Sequence, residues 1–109
     1  MQGIDPTGKG YLQAASTPKH YAGYNMDNWH GMDRYHYNAL ISKQDWADTY
    51  SQPFQASVVG ANASGLMCSY NALNGVPTCA SSDLMTKLAR ETYGFDGYIT
   101  GDCGAAQVR

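Results

Sequence analysis

Ser81-Ser-Asp-Leu-Met-Thr-Lys-Leu-Ala-Arg90-Glu-Thr-Tyr-Gly94-Phe-Asp-Gly97-Tyr-Ile-Thr-Gly101-Asp102 reads as a helix, a stop and a strand that ends on a carboxylate. Ser81 or Ser82 supplies the side-chain oxygen that caps a helix, and Leu84, Met85, Leu88 and Ala89 recur on one face. Arg90 sits in the last turn, and Gly94 closes it. The short apolar run from Gly97 to Gly101 is then a strand, with Asp102 just past its carboxyl end.

The same grammar holds further upstream. Gly65-Leu-Met-Cys-Ser-Tyr-Asn71 is bounded by turn formers and has the length of a buried strand, and Asn74-Gly75 marks a tight turn after it. Before it, Ser42-Lys-Gln-Asp45 has the form of a capping box, and Trp46, Tyr50, Phe54 and Val58 recur every four residues as one apolar stripe. Pro53 must interrupt or restart that helix, and Gly60 ends it. Tyr11 to Thr17 is a short, weak strand candidate stopped by Pro18 and followed at once by Lys19-His20. A polar, aromatic-rich loop then runs from Tyr21 to Leu40. Residues 1–10, with three Gly and one Pro, read as a flexible lead-in.

Strands separated by helices imply right-handed crossovers, so the pattern predicts an α/β fold in the order βαβαβ with parallel strands. In a parallel sheet the carboxyl ends of all strands share one rim, where α/β enzymes place their sites. Lys19-His20, Tyr70-Asn71 and Asp102 all fall there. A cation, an imidazole, a phenol and a carboxylate thus converge on one surface, a set suited to sugar hydroxyls and an electron-poor carbon. The plainer alternative is that Asp102 merely caps a helix begun by Cys103-Gly-Ala-Ala.

Composition narrows the partners. With a net charge of −2 and seven Lys plus Arg in 109 residues, the chain has no electrostatic footprint for nucleic acid or an anionic membrane. It has no apolar run of the roughly 20 residues that cross a bilayer, and its first residues have no signal-peptide pattern. His20, His30 and His36 lack metal-ligand spacing, so neither metal nor cofactor is expected, and His30 and His36 are assigned to a solvated loop. Gly3 to Lys9 has the outline of a phosphate loop, but Gly10 replaces the metal-binding hydroxyl and no strand precedes it.

Read together, Lys19-His20-Tyr-Ala-Gly-Tyr, Met67-Cys-Ser-Tyr-Asn-Ala-Leu-Asn-Gly-Val-Pro-Thr-Cys-Ala80 and Gly94-Phe-Asp-Gly-Tyr-Ile-Thr-Gly-Asp-Cys103 closely resemble glycoside hydrolase family 3. The Val-Pro-Thr-Cys-Ala segment and the Asp-Cys pair are similar to its β-xylosidase and α-arabinofuranosidase branch, since β-glucosidases usually carry Trp where Cys103 stands. The resemblance implies that residues 11–109 are a fragment of the N-terminal (β/α)8 TIM barrel domain. A complete barrel needs about 250 residues.

It further implies a retaining double displacement with Asp102 as nucleophile, Lys19 and His20 on sugar hydroxyls, Tyr70 orienting or touching the nucleophile, and Met67 near the glycone pocket. The expected substrate is an oligosaccharide or β-xyloside, with xylan breakdown as the setting. Retention needs a second carboxyl group about 5–5.5 Å from the first. The sole glutamate, Glu91, lies on a helix away from the rim, and the family's acid/base lies far downstream. The family also usually has Ser where Gly101 stands. The expectation is therefore a fragment that is inactive alone and that needs the remainder of its barrel and the downstream domain.

The family implies a secreted parent, which gives two further candidates meaning. Cys68 and Cys79 flank a turn and form the expected disulfide, with two reduced core cysteines as the alternative. Cys103 is then the odd thiol. Asn62-Ala63-Ser64 is a glycosylation acceptor. Two other functional classes are open: a carbohydrate-binding or unstable noncatalytic remnant with open sheet edges, and a hydrolase using Cys103 with His20 as base.

Overall fold

The computed structural model describes residues 2–106. Its strands are β1 (Asn28–Trp29), β2 (Met32–Asp33), β3 (Asn38–Ala39), β4 (Gly65–Cys68), β5 (Ala72–Leu73), β6 (Val76–Pro77) and β7 (Tyr98–Gly101). A helical run over 43–60 joins β3 to β4, and a helix at Asp83–Thr92 joins β6 to β7. β4 and β7 are parallel, with Gly65 opposite Tyr98 and Cys68 opposite Gly101.

On the other side of β4 lies the segment 16–21, also parallel. Gly65 N–H donates to Ser16 O, Met67 N–H to Pro18 O, Tyr21 N–H to Met67 O, and Ser69 N–H to Tyr21 O. The alternation of extended segment, helix, strand, helix and strand makes the chain a mixed α/β unit with parallel pairing at its centre.

The first extended segment is displaced from the sequence expectation. Tyr11 to Thr17 is not a strand; Leu12 instead makes an antiparallel bridge to Ile4. Pro18 looked like a terminator, but a proline on a sheet edge need only accept, and its carbonyl does so from Met67. Tyr11 and Leu12 stay exposed, and the pairing with β4 begins only at Ser16. Residues 2–15, whose opening part reads as a lead-in, close into a loop with Asp5 N–H on Tyr11 O at 2.8 Å. Gln2 Oε1 accepts from the backbone of both Ser16 and Ser64, tying that loop to the start of β4.

Local signals set the helices. Ser42 Oγ accepts from Asp45 N–H at 3.0 Å, capping the helix, and donates to the Asp45 carboxylate at 2.7 Å, so the two side chains pair with each other. Pro53 sits in the first turn of the segment Gln52–Gln55, where its missing N–H costs nothing. The chain widens on either side of that point: Ser51 N–H reaches Trp46 O and Ala61 N–H reaches Ala56 O, five residues back in each case. In the second helix Ser81 Oγ accepts from Leu84 N–H, and Arg90 donates to Phe95 O and Gly97 O, fastening the helix end to the entry of β7.

The stripe from the first helical run and the face of the second meet on one side of the sheet. Tyr21, Ala22, Phe54, Val58, Leu66, Leu84, Ala89 and Phe95 form the buried cluster, with Trp46, Met85, Leu88 and Ile99 packed against it. Tyr21 is wholly buried, and its hydroxyl donates to Leu84 O at 3.1 Å. Because strand residues alternate faces, Leu66 and Ile99 face this core while Met67, Thr100 and Asp102 belong to the opposite face.

β5 and β6 form a hairpin around Asn74-Gly75. Both turn residues have positive φ, 49° and 87°, as a two-residue hairpin turn requires. Asn74 also bonds Ile41 through both its amide atoms, and β5 runs parallel to β3.

Candidate active site

Asp102 follows β7 directly, and its own N–H donates to Cys68 O at 3.3 Å, which carries the ladder one residue past the strand. Its side chain is 18% exposed. Oδ1 accepts from the Tyr70 hydroxyl at 3.1 Å and from the Cys103 backbone N–H at 2.7 Å, while Oδ2 lies 3.1 Å from His20 Nε2. Three neighbours from three chain segments therefore hold both carboxylate oxygens.

Burial alone would raise the pKa of this carboxyl. The Cys103 N–H, the Tyr70 hydroxyl, and the nearby His20 and Lys19 outweigh it and hold the group below the ordinary aspartate value of 3.8. Asp102 is thus an ionised, desolvated carboxylate. Tyr70 moves the other way: burial and its bond to Asp102 raise its pKa, so it stays a protonated donor.

The helix-cap alternative accounts for only part of this. Asp102 does begin a turn, with Ala105 N–H on Asp102 O. Its side chain, however, is shared with Tyr70 and His20, which a cap does not need. The groups that hold the Asp102 charge are the Cys103 N–H, the Tyr70 hydroxyl, His20 and Lys19. Glu91 is exposed on the helix Asp83–Thr92.

The other expected residues fall as follows. Lys19 is exposed at the same rim, and a cleft of about 420 Å³ opens beside Lys19 and His20, bounded by Tyr24, Asn25, Tyr50 and Phe54. Met67 is half-buried in β4 and opposite Thr100. Asn71 is buried: its amide donates to the carbonyls of Ala22, Gly23 and Ala72, and so braces the loop after His20.

A disulfide joins Cys68 to Cys79, with their Cα atoms 5.2 Å apart, and Cys103 is an exposed free thiol. Cys103 contributes its backbone N–H to the site, and His20 Nε2 faces the carboxylate. Asn62 is exposed, with φ 51°, and its carbonyl accepts from Gln2. His30 and His36 are exposed in the loop, His36 beside the Asp33 carboxylate.

Sequence reading missed the aromatic surround. Tyr24 lies 4.8 Å from the His20 ring, Tyr35 meets Tyr70 edge-on at 5.0 Å, and Arg34 sits over Tyr70. The density of aromatic residues between Tyr21 and Tyr37 was the available signal.

The sequence model of the glycosyl hydrolase family 3 N-terminal domain matches residues 1–108. The chain belongs to glycosyl hydrolase family 3. Among its family 3 relatives, β-D-xylosidase 1 of Arabidopsis thaliana is 41% identical over 99% of this chain and 14% of its own length. A probable exo-1,4-β-xylosidase of Aspergillus terreus is 46% identical over 94% of the chain and 13% of its own. The solved family 3 exo-β-xylosidase XlnD, in complex with a xylobiose aziridine probe, matches with a TM-score of 0.86 at 40% identity, over 94% of this chain and 13% of that one. DesR, a β-glucosidase of Streptomyces venezuelae, matches with a TM-score of 0.78 at 33% identity, over 85% of this chain and 11% of that one. The chain therefore spans about one-seventh of the xylosidases it resembles.

Proposed function

We propose that this segment is the nucleophile-bearing part of a retaining β-xylosidase, with Asp102 attacking the anomeric carbon. The observation that carries this reading is the grip on Asp102: Tyr70 and the Cys103 N–H on one oxygen, His20 on the other. A nucleophile must be ionised and aimed, and those contacts favour both. In the first step the carboxylate oxygen bonds to the anomeric carbon and the leaving oxygen departs with a proton from a general acid. In the second, water takes the sugar off, restoring the carboxylate. On this reading Lys19 and His20 bind sugar hydroxyls, and Met67, on the same sheet face as Asp102, lines the glycone side.

The general acid must come from another part of the protein, because a single carboxylate cannot attack and protonate the leaving group at once. The shape supports a larger surround. The radius of gyration is 15.0 Å, against about 13 Å for a compact domain of this length. Tyr98, on the Asp102 face, and Leu40 are substantially exposed. The parallel set 16–21, β4 and β7 is well suited to be part of a (β/α)8 barrel, with the Met67 and Thr100 face turned to its interior. A secreted parent enzyme fits the disulfide and the exposed Asn62 acceptor. Xylose is preferred over glucose because the xylosidases are 41–46% identical to this chain and the β-glucosidase DesR 33%.

An activated 2-deoxy-2-fluoro-β-xyloside tests the assignment in the enzyme assembled with its acid/base-bearing portion. Peptide mapping should place the trapped sugar on Asp102; a trapped sugar on Cys103 or on another carboxylate would refute it. The 109-residue chain alone should not turn over aryl β-xylosides.

A further inference from the structure

Arg34 lies outside the groups assigned to the reaction, yet it connects to both side chains that grip the nucleophile. Its guanidinium carbon is 4.7 Å from the Tyr70 ring centroid and 5.1 Å from that of Tyr35, and Tyr35 meets Tyr70 edge-on. Arg34 is itself held by Asp27 Oδ1 at 3.4 Å and by the Tyr35 hydroxyl at 3.4 Å. The Tyr24 hydroxyl donates to the same Asp27 oxygen, and the Tyr24 ring packs on His20 and Tyr70. One aspartate thus anchors two chains of contact, through Arg34 to Tyr70 and through Tyr24 to His20.

A phenol can swing about two side-chain torsions, and its hydroxyl stays on target only if its ring is held. Tyr70 lies in the bend after β4, half-exposed, where the strand no longer fixes it. A cation over the ring and an aromatic edge against it supply the missing restraint. We infer that Arg34, clamped by Asp27, is a positioning residue that holds the Tyr70 ring so that its hydroxyl stays on Asp102. Its catalytic meaning rests on the reading of Asp102 as nucleophile, but the geometry does not.

Two roles need separating, because a loop staple would also explain the contacts. A direct pull of the guanidinium charge on Asp102 would persist when the Tyr70 hydroxyl is removed, whereas an influence passed through that hydroxyl would vanish with it.

The test follows the Asp102 carboxyl carbon by NMR titration in the 109-residue chain. Arg34→Ala should raise the midpoint by about half a pH unit as a hydrogen bond to the ionised form is lost. Tyr70→Phe should raise it at least as far, and the double variant no further than Tyr70→Phe. Arg34→Lys should recover part of the shift. An unmoved midpoint in a folded Arg34→Ala chain, or an equal added shift in the Tyr70→Phe background, would overturn the inference.

Should Arg34→Ala fail to fold, Asp27→Asn releases the guanidinium without emptying its space. Losing that negative charge would by itself lower the Asp102 midpoint, and freeing Tyr24 would disturb His20. A rise that disappears in the Tyr70→Phe background therefore supports positioning through Tyr70, and a rise that persists there, or a fall, defeats it. A sugar trapped elsewhere than on Asp102 would remove the nucleophile assignment and leave these shifts standing. Absent shifts would leave the trapped sugar standing.

Discussion

The Tyr70 hydroxyl donates to Asp102 Oδ1 at 3.1 Å across 32 residues of chain, joining the bend after β4 to the end of β7. That contact exists because β4 and β7 are parallel and in register, Cys68 opposite Gly101, so both strands deliver their next residues to the same edge. An antiparallel pairing would have sent Tyr70 and Asp102 to opposite edges. The direction of two strands thus decides whether there is a site.

Acid titration should expose the contact in stability. Asp102 has a folded-state pKa below its ordinary value of 3.8, so its contribution is complete above that value and is lost as pH falls through the lower folded midpoint. Tyr70→Phe narrows this interval. Urea unfolding should find the variant less stable than wild type at neutral pH, with the difference shrinking as pH drops below about 4. A difference that persists undiminished at pH 2 would mean that Tyr70 stabilises by packing alone.

Reduction of the Cys68–Cys79 disulfide should loosen the same edge. The bond closes a loop of sequence separation 11, for which chain entropy gives about 2–3 kcal/mol. Tyr70 lies within that loop and Thr78, wholly buried, bonds Ser69 through Oγ1, so the loop carries the site as well as the hairpin. Cys79→Ser should lower the urea midpoint accordingly and weaken fluoro-sugar trapping on Asp102. A shift below about 0.5 kcal/mol would show that hydrogen bonds already fix the loop.

How much of this was legible depended on whether a signal was local. Ser42, Ser81 and Asn74-Gly75 act within a few residues, and each forms the cap or turn its chemistry favours. Asp102 could be placed at a strand end because β7 is short and apolar. Pro18 misled because its usual meaning assumes that the strand needs its N–H, whereas its carbonyl alone pairs with Met67. Arg34 and Tyr35 were unreadable for another reason: their partner, Tyr70, is more than thirty residues away, and a loop without periodicity gives no face to predict.

Gly65→Ala tests how closely the sheet face opposite the core is packed. A Cβ at Gly65 would stand 2.6 Å from the Tyr98 ring and 2.8 Å from Thr17 Oγ1. Tyr98 must then tilt off the strand start, at a cost of about 1–3 kcal/mol. Gly97→Ala should cost more, because its Cβ would meet the Ser64 carbonyl, which is backbone and cannot swing aside. Chemical denaturation of both variants gives the order. Equal midpoints, or Gly65→Ala the worse, would contradict these contacts.

Phe54→Ala should be the most damaging change to the core and should reach the site through Tyr21. Phe54 is 8% exposed, and its ring lies 4.9 Å from that of Tyr21, which is wholly buried. Truncation removes a large apolar surface and leaves a cavity, together worth about 3–5 kcal/mol. Against a total stability of roughly 5–15 kcal/mol, that is a substantial share. Tyr21 immediately follows His20, its N–H pairs with Met67 in β4 and its carbonyl with Ser69 just past that strand, so a tilt of the Tyr21 ring turns the His20 imidazole relative to Asp102. Phe54→Leu refills most of the space and should lose less than about 1.5 kcal/mol. Urea midpoints give the energies, and the His20 ring resonances report the coupling. A destabilised Phe54→Ala with unshifted His20 resonances would show that the core and the rim are independent.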